Sequence, residues 1–335
     1  MLESLAEPSG PSRLRADRVA TARRIAALRA YMDANVLGPA GFCCASYEAC
    51  RNSIREGDRF FEGQLSHVGH HYDLRLDQRP LRVVVVGQEY AVRSPGRGSK
   101  QGEVSLDERY TMIHDGSGLS RRYYTDGAHP ARNPHMRGTT SALRVLFGKA
   151  PGADWDEEFI QTPEGDRFHI FDAFALVNVL LCSAGPEGLA TGRSTKLMRS
   201  TCLRHFAASM EILEPTIMVL QGHGVQRWIA PVLGSMEEHT PHLSEARLAG
   251  SRILVCRFSH PAAHPPLGWG NRVDASYLRQ VVEPTLRLAT SLLYTLSIST
   301  DLGRGAHSRG SDQPRPRSPS RSAPAPHCFP RRSMR

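Results

Sequence analysis

Four consecutive valines, Val83–Val86, close the run Leu81–Val86 and lead directly into Gly87. A strand that alternates apolar and polar residues has one dry face, whereas a strand that is apolar at successive positions has two. This run therefore predicts a strand at the middle of a sheet covered on both sides. That is the situation of parallel sheets, whose crossover helices lie on the faces. Phe168–Val177, Thr216–Leu220 and Arg252–Phe258 are further apolar runs.

Helical patterns separate these runs. Between Ser12 and Val36 an arginine-rich stretch places Ile25, Leu28, Met32 and Val36 on one stripe and is stopped by Gly38-Pro39. Thr139 or Thr140 is positioned to cap a helix reaching Phe147, with Gly148 as its terminator. Residues 194–213 space Leu197, Met198, Phe206, Met210 and Leu213 for an amphipathic helix, and a shorter helix surrounds Trp228. Asp274 caps a last helix bearing Leu278, Val281 and Val282, which Pro284 is expected to bend or break. Residues 91–137 predict a long insertion or active-site loop, and Ser183–Arg193 a glycine-rich loop. The alternation predicts a three-layer α/β/α sandwich, doubly wound around a mainly parallel central sheet. Residues 1–39 read as an N-terminal extension with the arginine-rich helix, 40–298 as the α/β domain, and 299–335 as a disordered Pro, Ser and Arg-rich tail.

The formal charge is +9, but residues 301–335 hold eight arginines against two aspartates. The body is only mildly basic, which permits a polyanionic partner without requiring one. The longest apolar stretches, about a dozen residues, fall short of the ~20 that span a bilayer. No segment reads as a secretory signal. The expectation is a cytoplasmic monomer without a membrane partner. Seven cysteines in a reducing compartment point to metal or cluster ligation before disulfides.

Ligands of open α/β sheets bind beyond the carboxyl ends of the strands. Three such exits carry unusual residues: Gly87-Gln88-Glu89-Tyr90, Asn178-Val179-Leu180-Leu181-Cys182, and His260-Pro261. Converging there, the amides can read the edge of a polar ring, the carboxylate can orient water or balance positive charge, and the imidazole can stabilise an oxyanion.

These three segments, in this order, resemble the motifs of the uracil-DNA glycosylase superfamily, particularly its iron-sulfur branch. Pro134-His135-Met136-Arg137-Gly138 and Glu214 through Gly222 are similar to two further segments, so the resemblance covers residues 40–298. It implies a DNA repair enzyme that hydrolyses the N-glycosidic bond of uracil, or of another deaminated base, after flipping it from DNA. Glu89 and His260 would then be catalytic, and Gln88, Tyr90 and Asn178 would bind the base. Arg193 or Lys196 would contact phosphate. The chain departs from the family where Glu89 stands one place later than the usual glutamate, where His135 and Met136 replace a base-stacking phenylalanine, and at Ala262. The resemblance also implies a [4Fe–4S] cluster held by Cys43, Cys50, Cys182 and Cys202, with Cys44 as a substitute for Cys43. It implies no nucleotide cofactor.

Two other readings fit the residues. One is a non-catalytic, cluster-bearing nucleic-acid binder on the same fold. The other is an unrelated metal-dependent hydrolase using His67, His70, His71 and Asp73. Gly222-His223-Gly224 lacks the third glycine of a dinucleotide-binding turn.

Overall fold

The valine run becomes the central strand of a seven-stranded sheet. In the computed structural model, residues 13–38, 41–89, 105–116, 132–152, 156–186 and 192–295 are described. The sheet strands in chain order are β1 (His67–Val68), β2 (Val83–Gly87), β3 (Phe174–Asn178), β4 (Ile217–Gln221), β5 (Met236–Thr240), β6 (Leu243–Leu248) and β7 (Ser251–Phe258). Their spatial order is β5-β6-β7-β4-β2-β3-β1. The four inner strands β7, β4, β2 and β3 are parallel. The edges are antiparallel: β1 pairs with β3, and β5 and β6 form a hairpin that continues onto β7.

The helices are α1 (Arg18–Asn35), α2 (Tyr47–Asn52), α3 (Leu106–Gly116), α4 (Pro134–Leu146), α5 (Lys196–Leu213), α6 (His223–Leu233) and α7 (Glu283–Thr295). Alternate residues of the inner strands feed two separate apolar cores. Val84, Val86, Met218 and Leu220 pack with Leu28 of α1, Phe206 of α5 and Ile229 of α6. Val83, Val85, Ile217 and Val219 pack with Leu143 of α4 and Leu286 of α7. Each of the four valines is fully buried, and burial of a valine side chain contributes roughly 1.5–3 kcal/mol. No polar residue interrupts Val83–Val86. The α/β class read from the alternation is observed, with helices covering both sheet faces, although antiparallel strands flank the parallel centre.

The differences from the sequence reading have local causes. The helix expected from residue 139 begins at Pro134, because Asn133 accepts a 2.9 Å hydrogen bond from the Met136 N–H and Pro134 fills the first turn. Pro284 does not break the last helix. A π-turn at Leu278–Val282 runs into α7, and Pro284 sits in its first turn, where the missing N–H costs little. The expected loop 183–193 contains a strand, Cys182–Pro186, paired antiparallel with Asp58–Glu62. Within the expected insertion at 91–137 lies α3. The tail from 296 onward lies outside the described residues. No helix among the described residues is long and apolar enough to cross a membrane.

At the amino ends of the inner strands an ionic cluster ties α1 to the sheet. Arg24 Nε donates to both Asp73 carboxylate oxygens (3.0 and 3.1 Å), its Nη1 to the Ile212 carbonyl (2.6 Å) and its Nη2 to Glu214 Oε2 (2.8 Å). The Arg82 N–H donates to Thr216 Oγ1 (2.9 Å), and the Thr216 N–H returns to the Arg82 carbonyl (2.9 Å). Tyr72 donates to the Leu213 carbonyl at 3.2 Å.

Candidate functional site

The parallel strands end level with one another. Asn178 of β3 pairs in register with Gly87 of β2, Leu220 of β4 with Val86, and Gln221 with Phe258 of β7. Gln88, Glu89, Asn178 and His260 are thereby brought to one edge of the sheet. Tyr90 lies outside the described residues.

The backbone beyond β2 and β3 stays paired. The Val179 N–H donates to the Gly87 carbonyl and the Leu180 N–H to the Gln88 carbonyl, both at 3.0 Å. The Asn178 carboxamide lies over Gly87, where an added Cβ would come within 2.6 Å of Oδ1. Only glycine leaves that space. Gln88 Nε2 donates to Glu89 Oε1 at 2.8 Å. The Glu89 carboxylate also abuts the backbone of Gly192, which leaves no room for a side chain there. Burial pushes the Glu89 carboxyl above the ordinary carboxylate range, an effect that neighbouring Gln88 and Ser183 and the charge of Arg199 partly offset. Glu89 Oε2 is buried without a hydrogen-bond partner among the described residues. Arg193 and Lys196 follow Gly192 directly, with Lys196 opening α5.

Two imidazoles complete the edge. His260 stacks on His135 of α4 with ring centroids 5.5 Å apart and planes 18° from parallel. His260 Nδ1 accepts the Ala262 N–H at 3.1 Å, so the neutral ring carries its proton on Nε2, free to donate. Desolvation lowers the His260 pKa. His135 is pushed down to about 4, first by burial and then by the charge of His260. Both rings are therefore neutral at pH 7. The loop that bears His260 is packed tightly on α4. Gly138 meets Pro261 and Trp269 at distances that exclude a Cβ, and Trp269 Nε1 donates to the Ser259 carbonyl at 2.7 Å.

His135 and Gln221 belong to this edge, yet the sequence reading gave neither a role. The signal that singled out Asn178, a polar residue closing an apolar strand, was equally present in Gln221 before Gly222.

A second concentration of chemistry lies on the α1/α5 side of the sheet. Cys44, Cys50, Cys182 and Cys202 line one cavity, together with Val36, Phe42, Ser46, Tyr47, Leu181, Met198, Thr201 and His205. It is partly open to solvent. Of the adjacent cysteines, Cys44 is a free thiol that lines this space, whereas Cys43, expected as a ligand, is disulfide-bonded and does not line it. The Cys43 N–H is tied to the Val36 carbonyl at 2.8 Å, continuing the short Leu37–Gly38/Gly41–Phe42 ladder, along which successive side chains alternate in direction. Burial raises the Cys44 and Cys182 thiols, and Cys202 to about 11, with the other thiols of the cavity adding to each shift. Opposing this, backbone N–H groups of Leu181 and Cys182 favour the Cys202 thiolate, and Ser46 N–H with Arg204 favours that of Cys44. Four thiols lining one cavity, with N–H donors favouring the thiolates of two of them, are a donor set that suits a group replacing their protons with positive charge.

His67, His70, His71 and Asp73 are engaged in packing and pairing. His67 Nε2 lies 2.9 Å from the Phe171 carbonyl, His70 stacks on Tyr110 and His71 on Phe168 at 4.0 Å each, and Asp73 is held by Arg24. Among the described residues no three His, Cys, Asp or Glu side chains close on a point as the ligands of a single ion do. No family model matches this sequence, and no curated protein matches it.

Proposed function

We propose that this protein is a DNA glycosylase of the uracil-DNA glycosylase type, hydrolysing the N-glycosidic bond of a deaminated base extruded from the helix. The observation that carries the reading is the single edge shared by Gln88, Glu89, Asn178 and His260 at the ends of four parallel strands. A base inside a duplex is out of reach of such an edge, so it must be flipped, at a cost of a few kcal/mol.

Breaking the bond leaves a cationic sugar and an anionic base. Asn178, over Gly87, reads the base edge with one donor and one acceptor. His260 donates its Nε2 proton to the carbonyl oxygen that gains charge, and its neutral state makes this a hydrogen bond to an oxyanion rather than a proton transfer. Glu89 orients the attacking water through Oε2, which has no hydrogen-bond partner among the described residues, and its negative charge favours the sugar cation. Gln88 fixes Oε1 and so decides which oxygen is available. Arg193 and Lys196 meet the phosphates next to the flipped nucleotide, giving affinity that falls with salt.

Cys44, Cys50, Cys182 and Cys202 would hold a [4Fe–4S] cluster, whose contribution is to cross-link separate segments of the chain. The four thiols proposed as ligands are free. The test is anaerobic purification with iron and sulfide quantification, followed by detection of free base from oligonucleotides containing uracil, hypoxanthine or xanthine. Iron and sulfide near four each per chain, with release of one of these bases, is the expected result. Release from none, by iron-loaded protein that binds the same DNA, favours the non-catalytic binder.

A further inference from the structure

A carboxylate outside the cysteine cavity draws its walls together. Cys44 and Cys50 come from the chain that runs from the short Gly41–Phe42 strand into α2, whereas Cys182 opens the strand paired with Asp58–Glu62. Glu62 stands directly opposite Cys182 in that antiparallel register. Residues so opposed project to the same face, with Cβ atoms about 4.5–5.5 Å apart. From there the carboxylate reaches the cysteine segment on both sides of Cys44. Glu62 Oε2 accepts the Phe42 N–H at 3.2 Å, and Oε1 accepts the Tyr47 hydroxyl at 2.7 Å. Gly41 makes the approach possible: its φ is +112°, and an added Cβ would lie 2.6 Å from Oε2. The next residue, Gly63, donates its N–H to the Leu181 carbonyl at 2.8 Å and lies too close to it for a Cβ.

Both partners of Glu62 are donors, so the group between them must accept twice. A carboxylate offers two acceptor oxygens, and a carboxamide offers one. Phe42, Cys44, Tyr47 and Cys182 all line the cavity, and Glu62 does not. Groups placed one layer outside a metal centre orient its ligands and tune its potential. We propose that Glu62 is a positioning residue for the four-thiol site, tying the segment of Cys44 and Cys50 to the strand of Cys182 and lowering the reduction potential of the bound cluster by its charge. This rests on the cluster reading and deepens it. The sign follows from electrostatics: a negative charge beside the site favours the oxidised cluster, which is the less negative of the two states. The Cys182 thiol, raised by burial and by neighbouring thiols, is raised further by the same charge.

The experiment compares the wild type, Glu62→Gln and Tyr47→Phe, each as the full chain purified anaerobically. Iron release to a chelator is followed optically, and the midpoint potential by mediated redox titration. Glu62→Gln is expected to lose iron about tenfold faster or more and to titrate at a higher potential. Tyr47→Phe keeps the charge, so faster iron loss is expected with a potential close to that of the wild type. Iron release as slow as in the wild type in both variants overturns the role and leaves the cluster reading standing. So does faster release from Glu62→Gln with an unshifted potential, which marks a contact that only supports the fold. If Glu62→Gln takes up no cluster, Tyr47→Phe decides: faster release supports the role and wild-type release overturns it. A wild type that holds neither iron nor sulfide overturns the cluster reading and the role together. None of these readouts uses base release, so the role is decided whether or not the protein is a glycosylase.

Discussion

The same four parallel strands end in opposite ways. At their amino ends, Arg24, Asp73, Arg82, Glu214 and Thr216 pair with one another and with nearby carbonyls, so the Arg24 guanidinium alone makes four hydrogen bonds to three residues. At their carboxyl ends, Glu89 Oε2 is buried with no hydrogen-bond partner among the described residues, and two neutral imidazoles face each other. Both ends place polar groups in poorly hydrated surroundings. A satisfied network holds elements together, whereas an unsatisfied one has desolvation already incurred and bonds still to make, as a preorganised site must.

The contrast can be broken by substitution at either end. The largest effect is expected at the carboxyl end and on activity alone. Glu89→Gln and His260→Ala are each predicted to slow base release about 10³-fold with the fold intact, measured by single-turnover kinetics and circular dichroism. Full activity in these variants and in Asn178→Ala would disprove the pocket. At the amino end the effect is expected on stability alone. Arg24→Met leaves Asp73 buried beside a more distant Arg82, 3.8 Å away, and is predicted to cost about 3 kcal/mol in denaturant unfolding, with base release by the folded fraction unchanged.

The strands, and with them the level of the site, were legible because Val83–Val86 and Ile217–Leu220 are apolar at every position, a pattern that only a two-sided sheet explains. Asn178 and His260 were legible as polar residues where such runs stop. Less legible was anything depending on side chains distant in sequence. Gly192 gains its meaning from the Glu89 carboxylate lying on it, and Gln221 from its hydrogen bond to Thr139, 82 residues away. That Cys43 is disulfide-bonded while Cys44 is a free thiol was not legible from their adjacency. The strand Asp58–Glu62 was missed because its partner, Cys182–Pro186, contains Gly185 and Pro186 and reads as a loop.

Smaller effects sharpen the comparison. Gly192→Ala forces the Glu89 carboxylate aside and is predicted to reduce base release by about 10²-fold, with little change in unfolding midpoint. A normal rate would remove Gly192 from the site. Glu89 also predicts a pH signature. Its folded pKa is raised, so ionising it destabilises the fold. That cost is absent below the ordinary carboxylate range and is fully present once pH exceeds the raised value. Glu89→Gln is therefore expected to unfold about 2 °C higher than the wild type near pH 7, and at the same temperature near pH 3. A lower midpoint at neutral pH would contradict the unsatisfied carboxylate. In the wild type, the acid limb of base release should lie above the ordinary carboxylate range.

The most direct measurement is a crystal structure of the inactive Glu89→Gln variant bound to a lesion-containing oligonucleotide. The account predicts one nucleotide swung out of its strand, its base over Gly87 between Asn178 and His260 and its phosphates against Arg193 and Lys196. A base still stacked in the DNA, or DNA lying on the amino end of the sheet, would contradict it.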